Sequence, residues 1–544
     1  MNLMPRLADK VIFSVALTLL ALDAYMQVAA GNSGDKNWLL LGARWWLDGR
    51  TIGGGIFEVN PPLILWLYAI PVWISEHLTI IKDSWALGLM GIGFTILSIG
   101  VSIRLIGLHP MFAGNAYRQA YFALLLASVL MFFNTPLYFF DRDNIMFVLT
   151  FPYMLRFMPA LEGRRLSFCL RLSVGLLAAL GFCIKPHSLI VFIALQAVVI
   201  FRERSLAVLC SLENCIIYTA GALYAFCVWH FAPDYIGVIL PMAMETYSGY
   251  NYRINACLYL AFAFLSAGLT FVEFRPRLAT PYRVETYYFV EVCVAFLAYA
   301  LLNNGWGYTY SPLLSALAFL SGWMLWEYGW LRCEHEKRRQ PIKQFVFGQR
   351  GCIINLALNV VYIVVSMAAF FTAICDKYDD CRQDEAYAAY LTHNHIRSFS
   401  TLAVNFNRWT AVARSSGALW GSRFNNLWML PALLRDKEPA SEQHQRIIEY
   451  VGRAYAQDLE YWKPEAIFVD SSNGVFDYPH PVDLVALFGR VPQFKEIWQR
   501  QYRYLTTIDN CTKSDISAEA QDKNAAAWPL IAADCRYSVY GRVP

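Results

Sequence analysis

The feature that most constrains this chain is a series of long apolar segments separated by polar loops. Stretches of roughly 17–25 apolar residues are long enough to cross a bilayer as helices. The candidate spans are residues 11–30, 85–107, 119–140, 144–161, 172–184, 187–201, 206–231, 255–274, 285–302, 312–331 and 351–374. The sequence therefore predicts an all-α polytopic membrane protein with about eleven transmembrane helices.

The amino-acid composition is typical of an integral membrane protein. Of the 544 residues, 57% are hydrophobic and 16% are charged, which lies outside the usual soluble range. The chain contains 17 Trp, a residue enriched at membrane interfaces. A net charge of +4, with no basic stripe or finger motif, argues against nucleic acid as a partner.

The distribution of Lys and Arg decides between two topologies, because residues 62–80 are apolar enough to span. If this segment does not cross, most basic residues between spans fall on one side, as the positive-inside rule requires. We therefore predict a juxtamembrane helix over 62–80, beginning at Pro61-Pro62. The N-terminus is then cytoplasmic and the C-terminus is periplasmic, as in a multi-pass protein of a bacterial inner membrane.

The chain becomes polar after residue 375, which predicts two domains, 1–375 in the membrane and 376–544 outside the cytoplasm. Helical periodicity covers 441–460 and 481–504, and a strand-like run covers 466–470. These patterns predict a mixed α/β C-terminal domain.

The cysteines of the outer domain are candidates for disulfides, since disulfides persist outside the cytoplasm. Cys511 with Cys535 and Cys375 with Cys381 are the expected pairs. No cysteine or histidine spacing indicates zinc. The sequence predicts no required cofactor and no metal ligands, although the acidic residues are compatible with Mg or Mn.

Several acidic residues lie in the loops that follow the first and third spans. Asp35 follows the first span, Glu58 lies in Phe57-Glu-Val-Asn-Pro-Pro62, and Asp143 follows the third span in Arg142-Asp143. Carboxylates beside a bilayer are costly unless they have a partner or a chemical role. Their common face indicates an enzyme that acts on a lipid-linked substrate.

These motifs resemble the GT-C superfamily, integral-membrane glycosyltransferases that use polyprenyl-phosphate sugars. Protein O-mannosyltransferases and lipid A aminoarabinose transferases are examples. Asp35 stands where the family carries its principal catalytic carboxylate, and Glu58 matches the acidic position of a Glu-Lys-Pro-Pro-like segment, with Asn60 in place of the lysine. Asp143 falls where relatives have a second acidic residue, and Lys185 lies in a segment similar to the family's lysine-bearing turn. The likeness covers about residues 1–374 in layout.

The resemblance implies a single displacement with inversion. The acceptor hydroxyl needs a base and the departing phosphate needs positive charge. We predict Asp35 as the base; the alternative is an N-cap for a helix over 36–48. Asp143 is predicted to assist acceptor binding or hold a cation, with Arg142 facing the phosphate; the alternative is a structural ion pair of the two. Glu58 either orients Asp35 or the acceptor, or caps the following helix.

Further binding residues are predicted at the same face. Lys185 and His187 flank a proline between two short apolar segments, where the donor phosphate can dock. The alternative for this pair is extension of the side chains toward lipid headgroups. Tyr247 and Arg253 lie in a Tyr-rich loop suited to sugar and phosphate contacts, although such clusters also form interfacial aromatic belts.

The predicted function is transfer of a sugar to a cell-envelope glycan, lipid or protein outside the cytoplasm. A transporter or flippase is one alternative, but such proteins usually show internal repeats, and none is visible here. An O-antigen ligase or polymerase is another; large outer loops rich in Arg and His are expected of it, whereas the largest loop between spans here, 31–84, is acidic and aromatic. A receptor-like role for the C-terminal domain also stays open.

Overall fold

The structure is a computed structural model, and it describes most of the chain. The described residues are 7–29, 34–78, 80–131, 139–247, 283–302, 307–338, 385–404, 409–434, 441–471, 482–509 and 536–543.

Helices dominate the described part of the first 338 residues. The α-helices are α1 Leu7–Ala29, α2 Gly34–Leu47, α3 Pro62–His77, α4 Asp83–Ile106, α5 Ala116–Met131, α6 Arg142–Arg156, α7 Phe168–Ile184, α8 Leu189–Glu203, α9 Leu212–Phe231, α10 Leu240–Thr246, α11 Arg283–Leu302 and α12 Ser311–Arg338. Short 3-10 turns cover Pro159–Leu161, Pro186–Ser188, Leu206–Cys210 and Gly307–Tyr310, and a π-helical turn covers Tyr235–Ile239.

Several of these helices have the make-up of membrane spans. Within the described residues, the helices long and apolar enough to cross a bilayer are Asp83–Ile106, Pro186–Glu203, Leu212–Phe231 and Val284–Leu302. Shorter apolar helices cover most of the other predicted spans. The predicted spans at 255–274 and 351–374 lie outside the described residues, so the count of eleven stays a prediction. By the length and composition of its helices, the described part of the chain is that of a multi-pass membrane protein.

Helix α6 is the most enclosed of these helices, since all its residues except Arg156 are buried. Helix α4 bonds to it directly, because the Ser98 hydroxyl donates to the Val148 carbonyl at 2.6 Å. Helix α7 approaches through Gly181, where a Cβ would lie 2.8 Å from the Thr150 methyl carbon. The polar residues that begin α6 are consequently enclosed by protein.

Helices α2 and α3, which follow the first apolar segment, lie where the sequence predicted helices. Helix α2 coincides closely with the predicted helix over 36–48. Helix α3 occupies the predicted juxtamembrane segment 62–80 and begins at Pro62, whose fixed φ suits the first turn of a helix.

The C-terminal region is a mixed α/β fold, as the sequence predicted. Residues 385–393 are helical. The further helices are α13 Trp409–Ser416, α14 Leu430–Leu433, α15 Glu442–Trp462, α16 Leu484–Phe488 and α17 Pro492–Gln501. The strands are β1 Ser398–Leu402, β2 Leu419–Trp420, β3 Ala466–Asp470, β4 Tyr502–Asp509 and β5 Arg536–Arg542.

The strands form one sheet in the order β2-β1-β3-β5-β4. Strand β1 pairs in parallel with β2 and β3, whereas β5 is antiparallel to β3 and β4. The predicted strand over 466–470 is the central β3, every residue of which is buried. Mixed sheets covered by amphipathic helices are typical of α/β domains.

The helical pattern over 481–504 was confirmed except at its C-terminal end. The structure has α16, a break, α17 and then strand β4 from Tyr502. Pro492 lacks the backbone N–H that a helix interior requires, so it begins a new helix. Tyr502 and the residues after it pair with β5 instead of continuing α17.

The chain divides into two compact units that differ from the sequence-based partition. The first unit comprises residues 1–31, 74–226 and 252–373, and the second comprises 32–73, 227–251 and 374–544. Two segments that precede the polar region, 32–73 and 227–251, thus group with the C-terminal fold. The predicted boundary between residues 375 and 376 lies outside the described residues.

The predicted disulfide partners Cys375, Cys381, Cys511 and Cys535 also lie outside the described residues. Among the described residues, the cysteines present as free thiols are Cys169, Cys183, Cys210, Cys215, Cys227 and Cys293.

Candidate active site

The first group of predicted site residues lies at the N-terminus of helix α6, in the first unit. Asp141 is the N-cap, with extended backbone angles and a side chain that accepts from the Arg142 amide at 2.7 Å. Phe140 has a φ of +58°, and its amide donates to the Asn144 side chain at 2.8 Å. These bonds fix the turn that brings Asp143 into the first helical turn, where the helix dipole favours a carboxylate.

Asp143 is buried and accepts three hydrogen bonds. Its exposed fraction is 1%. The Lys185 ammonium donates to both carboxylate oxygens, at 2.9 and 2.7 Å. The Tyr299 hydroxyl of helix α11 donates to Oδ1 of the same carboxylate. The ammonium also lies 5.5 Å from the centre of the Tyr299 ring. Two residues predicted separately from the sequence, Asp143 and Lys185, are therefore direct partners.

Lys185 reaches this carboxylate because the chain breaks between α7 and α8, as the sequence predicted. Helix α7 ends at Ile184, and Pro186 begins a 3-10 turn. The Ser188 amide and hydroxyl both donate to the Lys185 carbonyl, at 2.8 and 2.6 Å. The backbone of Lys185 is thus held while its side chain keeps 13% exposure. His187, in the same turn, is exposed.

Arg142 is buried beside this pair, and its Nε lies 3.4 Å from Asp141 Oδ1. Among the described residues at this helix end, Arg142 lies against Asp141 and Lys185 pairs with Asp143. The alternative from the sequence, a structural ion pair of Arg142 with Asp143, stays a prediction. Two cations and two carboxylates therefore lie together at this helix end.

The second group of predicted residues belongs to the second unit. Asp35 is half-buried in the first turn of α2, one residue inside the helix rather than at the predicted N-cap. Glu58 is 3% exposed, and its Oε2 accepts from the Trp38 indole nitrogen at 2.6 Å. The Asn60 amide donates to Oε1 at 2.7 Å, and its side chain donates to the same oxygen. Glu58 therefore joins the loop to the helix that carries Asp35.

Of the remaining predicted residues, Tyr247 belongs to the second unit. Tyr247 packs on Trp428, with ring centroids 5.6 Å apart. Near it, Glu245 and the His444 imidazole lie 3.1 Å apart. Arg253 lies outside the described residues.

Three contributing residues escaped the sequence analysis: Tyr299, Asp141 and Trp38. Tyr299 sits within an apolar segment and resembles any interfacial aromatic residue. Asp141 comes directly before the start of a helix, and Asp is a favoured N-cap residue, so this signal could have identified it. Trp38 lies three residues after Asp35, so helical spacing places the two on one face of α2.

The described part of the chain contains no group of three or more His, Cys, Asp or Glu residues placed to hold a metal ion.

Comparisons with known proteins give few matches. No family model matches the chain, and no curated protein matches its sequence. Among solved structures, the chain is similar to a crystal structure of ArnT from Cupriavidus metallidurans in the apo state, with a TM-score of 0.43 and 12% identity. The similarity covers 98% of each chain.

Proposed function

We propose that this protein is a membrane glycosyltransferase that moves one sugar from a polyprenyl-phosphate donor to an acceptor hydroxyl outside the cytoplasm. The acceptor is a cell-envelope glycan, lipid or protein, and the membrane is the inner membrane of a bacterium. The observation that carries the proposal is the Asp143–Lys185 pair, a buried charge pair at the ends of two apolar helices. Buried charges between apolar helices usually mark a binding or catalytic site.

Lys185 suits the phosphate of a lipid-linked donor. Its ammonium is a point charge with three donors, two directed to Asp143, and the side chain stays partly exposed. Asp143, with three hydrogen-bond donors around it, is better suited to orient Lys185 than to accept a proton. Arg142 supplies the second cation near the departing phosphate.

Asp35 is the proposed base of the transfer. It takes the proton of the acceptor hydroxyl, whose oxygen forms a bond to the anomeric carbon while the bond from that carbon to the phosphate oxygen breaks. Polyprenyl phosphate leaves, and the configuration at the anomeric carbon inverts. A positioned base contributes about 10²- to 10⁴-fold to such a step.

Glu58 is proposed to orient helix α2 through its bond to Trp38. His187 and Arg253 are proposed contacts of the phosphate, and Tyr247 of the sugar. The reaction is proposed to need no cofactor. A chelator should therefore leave transfer unchanged, and a loss restored by Mg or Mn would assign a metal.

The test is product analysis with purified protein in vesicles that contain a polyprenyl-phosphate sugar and an envelope extract. We expect glycosylated acceptor and free polyprenyl phosphate in equal amounts. Lys185→Met should raise the KM for the donor about 10-fold or more, since a charged hydrogen bond contributes about 1.5–3 kcal/mol. Movement of intact donor across the bilayer without bond cleavage would instead identify a flippase.

A further inference from the structure

The turn at residues 422–424 of the C-terminal region is held by one buried carboxylate. Asp458, on helix α15, is 3% exposed. Its Oδ1 accepts from the Arg423 guanidinium at 2.8 Å, and its Oδ2 accepts from the Arg423 amide at 2.8 Å and from the Ser422 hydroxyl at 3.3 Å. Burial raises the pKa of Asp458, and the Arg423 guanidinium opposes that rise. Asp458 thus fixes both the backbone and the side chain of Arg423.

The turn at residues 422–424 also holds the loop that contains Glu58. The Phe57 amide donates to the Arg423 carbonyl at 2.8 Å, and Phe57 forms a β-bridge with Phe424. The rings of these two phenylalanines lie 4.8 Å apart. Glu58 follows Phe57 directly, so the orientation of its side chain depends on the backbone that Arg423 binds.

The other end of helix α2 is held by the same helix α15. The Arg50 guanidinium contacts two indoles, 4.4 Å from the centre of the Trp45 ring and 4.0 Å from that of Trp462. Burial lowers the pKa of Arg50, and the nearby Tyr461, Asp48 and Asp458 oppose that shift. Trp462 comes four residues after Asp458, one turn further along α15.

We propose that Asp458 is a positioning residue for sugar transfer, which acts through Arg423 and Phe57 to set the place of Glu58 and of the helix that carries Asp35. The C-terminal region is then part of the machinery of transfer and not an appended module. This inference rests on the proposed function, because Asp35 is the group that is positioned.

The experiment compares Asp458→Asn, Arg423→Lys and a control, Glu442→Gln, in the full-length protein. Glu442 lies on the same helix and pairs with Arg446 in an exposed ion pair. Two quantities are measured: the hydrogen-exchange rate of the peptide over 56–60, and kcat and KM for donor and acceptor.

For Asp458→Asn we expect exchange over 56–60 to rise about 10-fold and kcat to fall about 10- to 100-fold, since small misplacements of reacting groups have effects of that size. Both KM values should stay within about twofold, because binding of the substrates is not the affected step. Arg423→Lys keeps the charge and the backbone amide bond to Asp458 but loses the bond from the guanidinium Nε, so it should show the same changes to a smaller extent. Glu442→Gln should match the wild type.

Wild-type exchange and kcat in Asp458→Asn would overturn the inference and leave the proposed function intact. If Asp458→Asn also accelerates exchange in strands β3 and β5, the variant has loosened the whole fold. The result for Arg423→Lys then tests the inference, and wild-type exchange over 56–60 in that variant would overturn it. Absence of glycosylated product with the wild-type protein would instead overturn the proposed function, while the exchange result for Asp458→Asn would stand by itself.

Discussion

The buried pair of Asp143 and Lys185 makes a quantitative prediction about stability. Asp143→Asn leaves the Lys185 ammonium without its carboxylate, and Lys185→Met leaves the carboxylate with only the Tyr299 hydroxyl of the three donors described above. Removal of one partner from a buried pair costs about 3–5 kcal/mol. Because the Lys185 side chain keeps 13% exposure, water relieves part of that cost, and we expect about 3 kcal/mol for each single variant.

The double variant, Asp143→Asn with Lys185→Met, isolates the interaction energy of the two charges. With both charges removed, no unpaired charge remains, so its loss of stability should be smaller than the sum of the single losses by about 2 kcal/mol. The assay is reversible unfolding in mixed micelles, with Glu496→Gln as the control. Glu496 forms an exposed ion pair with Arg500, and its loss should change stability by about 0.5 kcal/mol or less. Additive single effects would refute the reasoning, because they would mean that the two charges do not interact.

Two further substitutions test the loop of the second unit. Trp38→Phe removes the 2.6 Å bond to Glu58 and should cost about 1–3 kcal/mol, measured as accelerated hydrogen exchange in α2; unchanged exchange would contradict the assigned bond. Gly53→Ala should destabilise more than Gly49→Ala in the same unfolding assay. Both glycines have positive φ, but only at Gly53 would a Cβ lie 2.3 Å from a side-chain carbon of Asp234. Equal losses would count against this close approach.

Elements with a strong local pattern were predictable from the sequence. The helix α15 and the strand β3 appear where periodicity and β-branched content placed them. The break at Lys185 was also predictable, because Pro186 cannot continue α7. The helix prediction over 481–504 failed from Tyr502 onward, because the pairing of that residue with β5 involves residues distant in the chain.

The sequence identified residues of the candidate site more readily than it identified which of them pair with each other. Asp143 and Lys185 each stood out as charges beside apolar segments, but their pairing depends on how α6 and α7 pack. Tyr299 gave no signal, since a tyrosine in an apolar span is usually part of the core or of an interfacial belt. Contacts between positions distant in the sequence follow from helix packing, which single-sequence patterns do not encode.

The most direct test of the account measures one turnover of saturating polyprenyl-phosphate sugar by the wild type, Asp35→Asn and Asp48→Asn. Asp48 is exposed just beyond the other end of helix α2, so it is the matched control. We predict that Asp35→Asn slows transfer about 100-fold or more at normal protein levels, while Asp48→Asn transfers at the wild-type rate. Transfer by Asp35→Asn at the wild-type rate would contradict its assignment as the base.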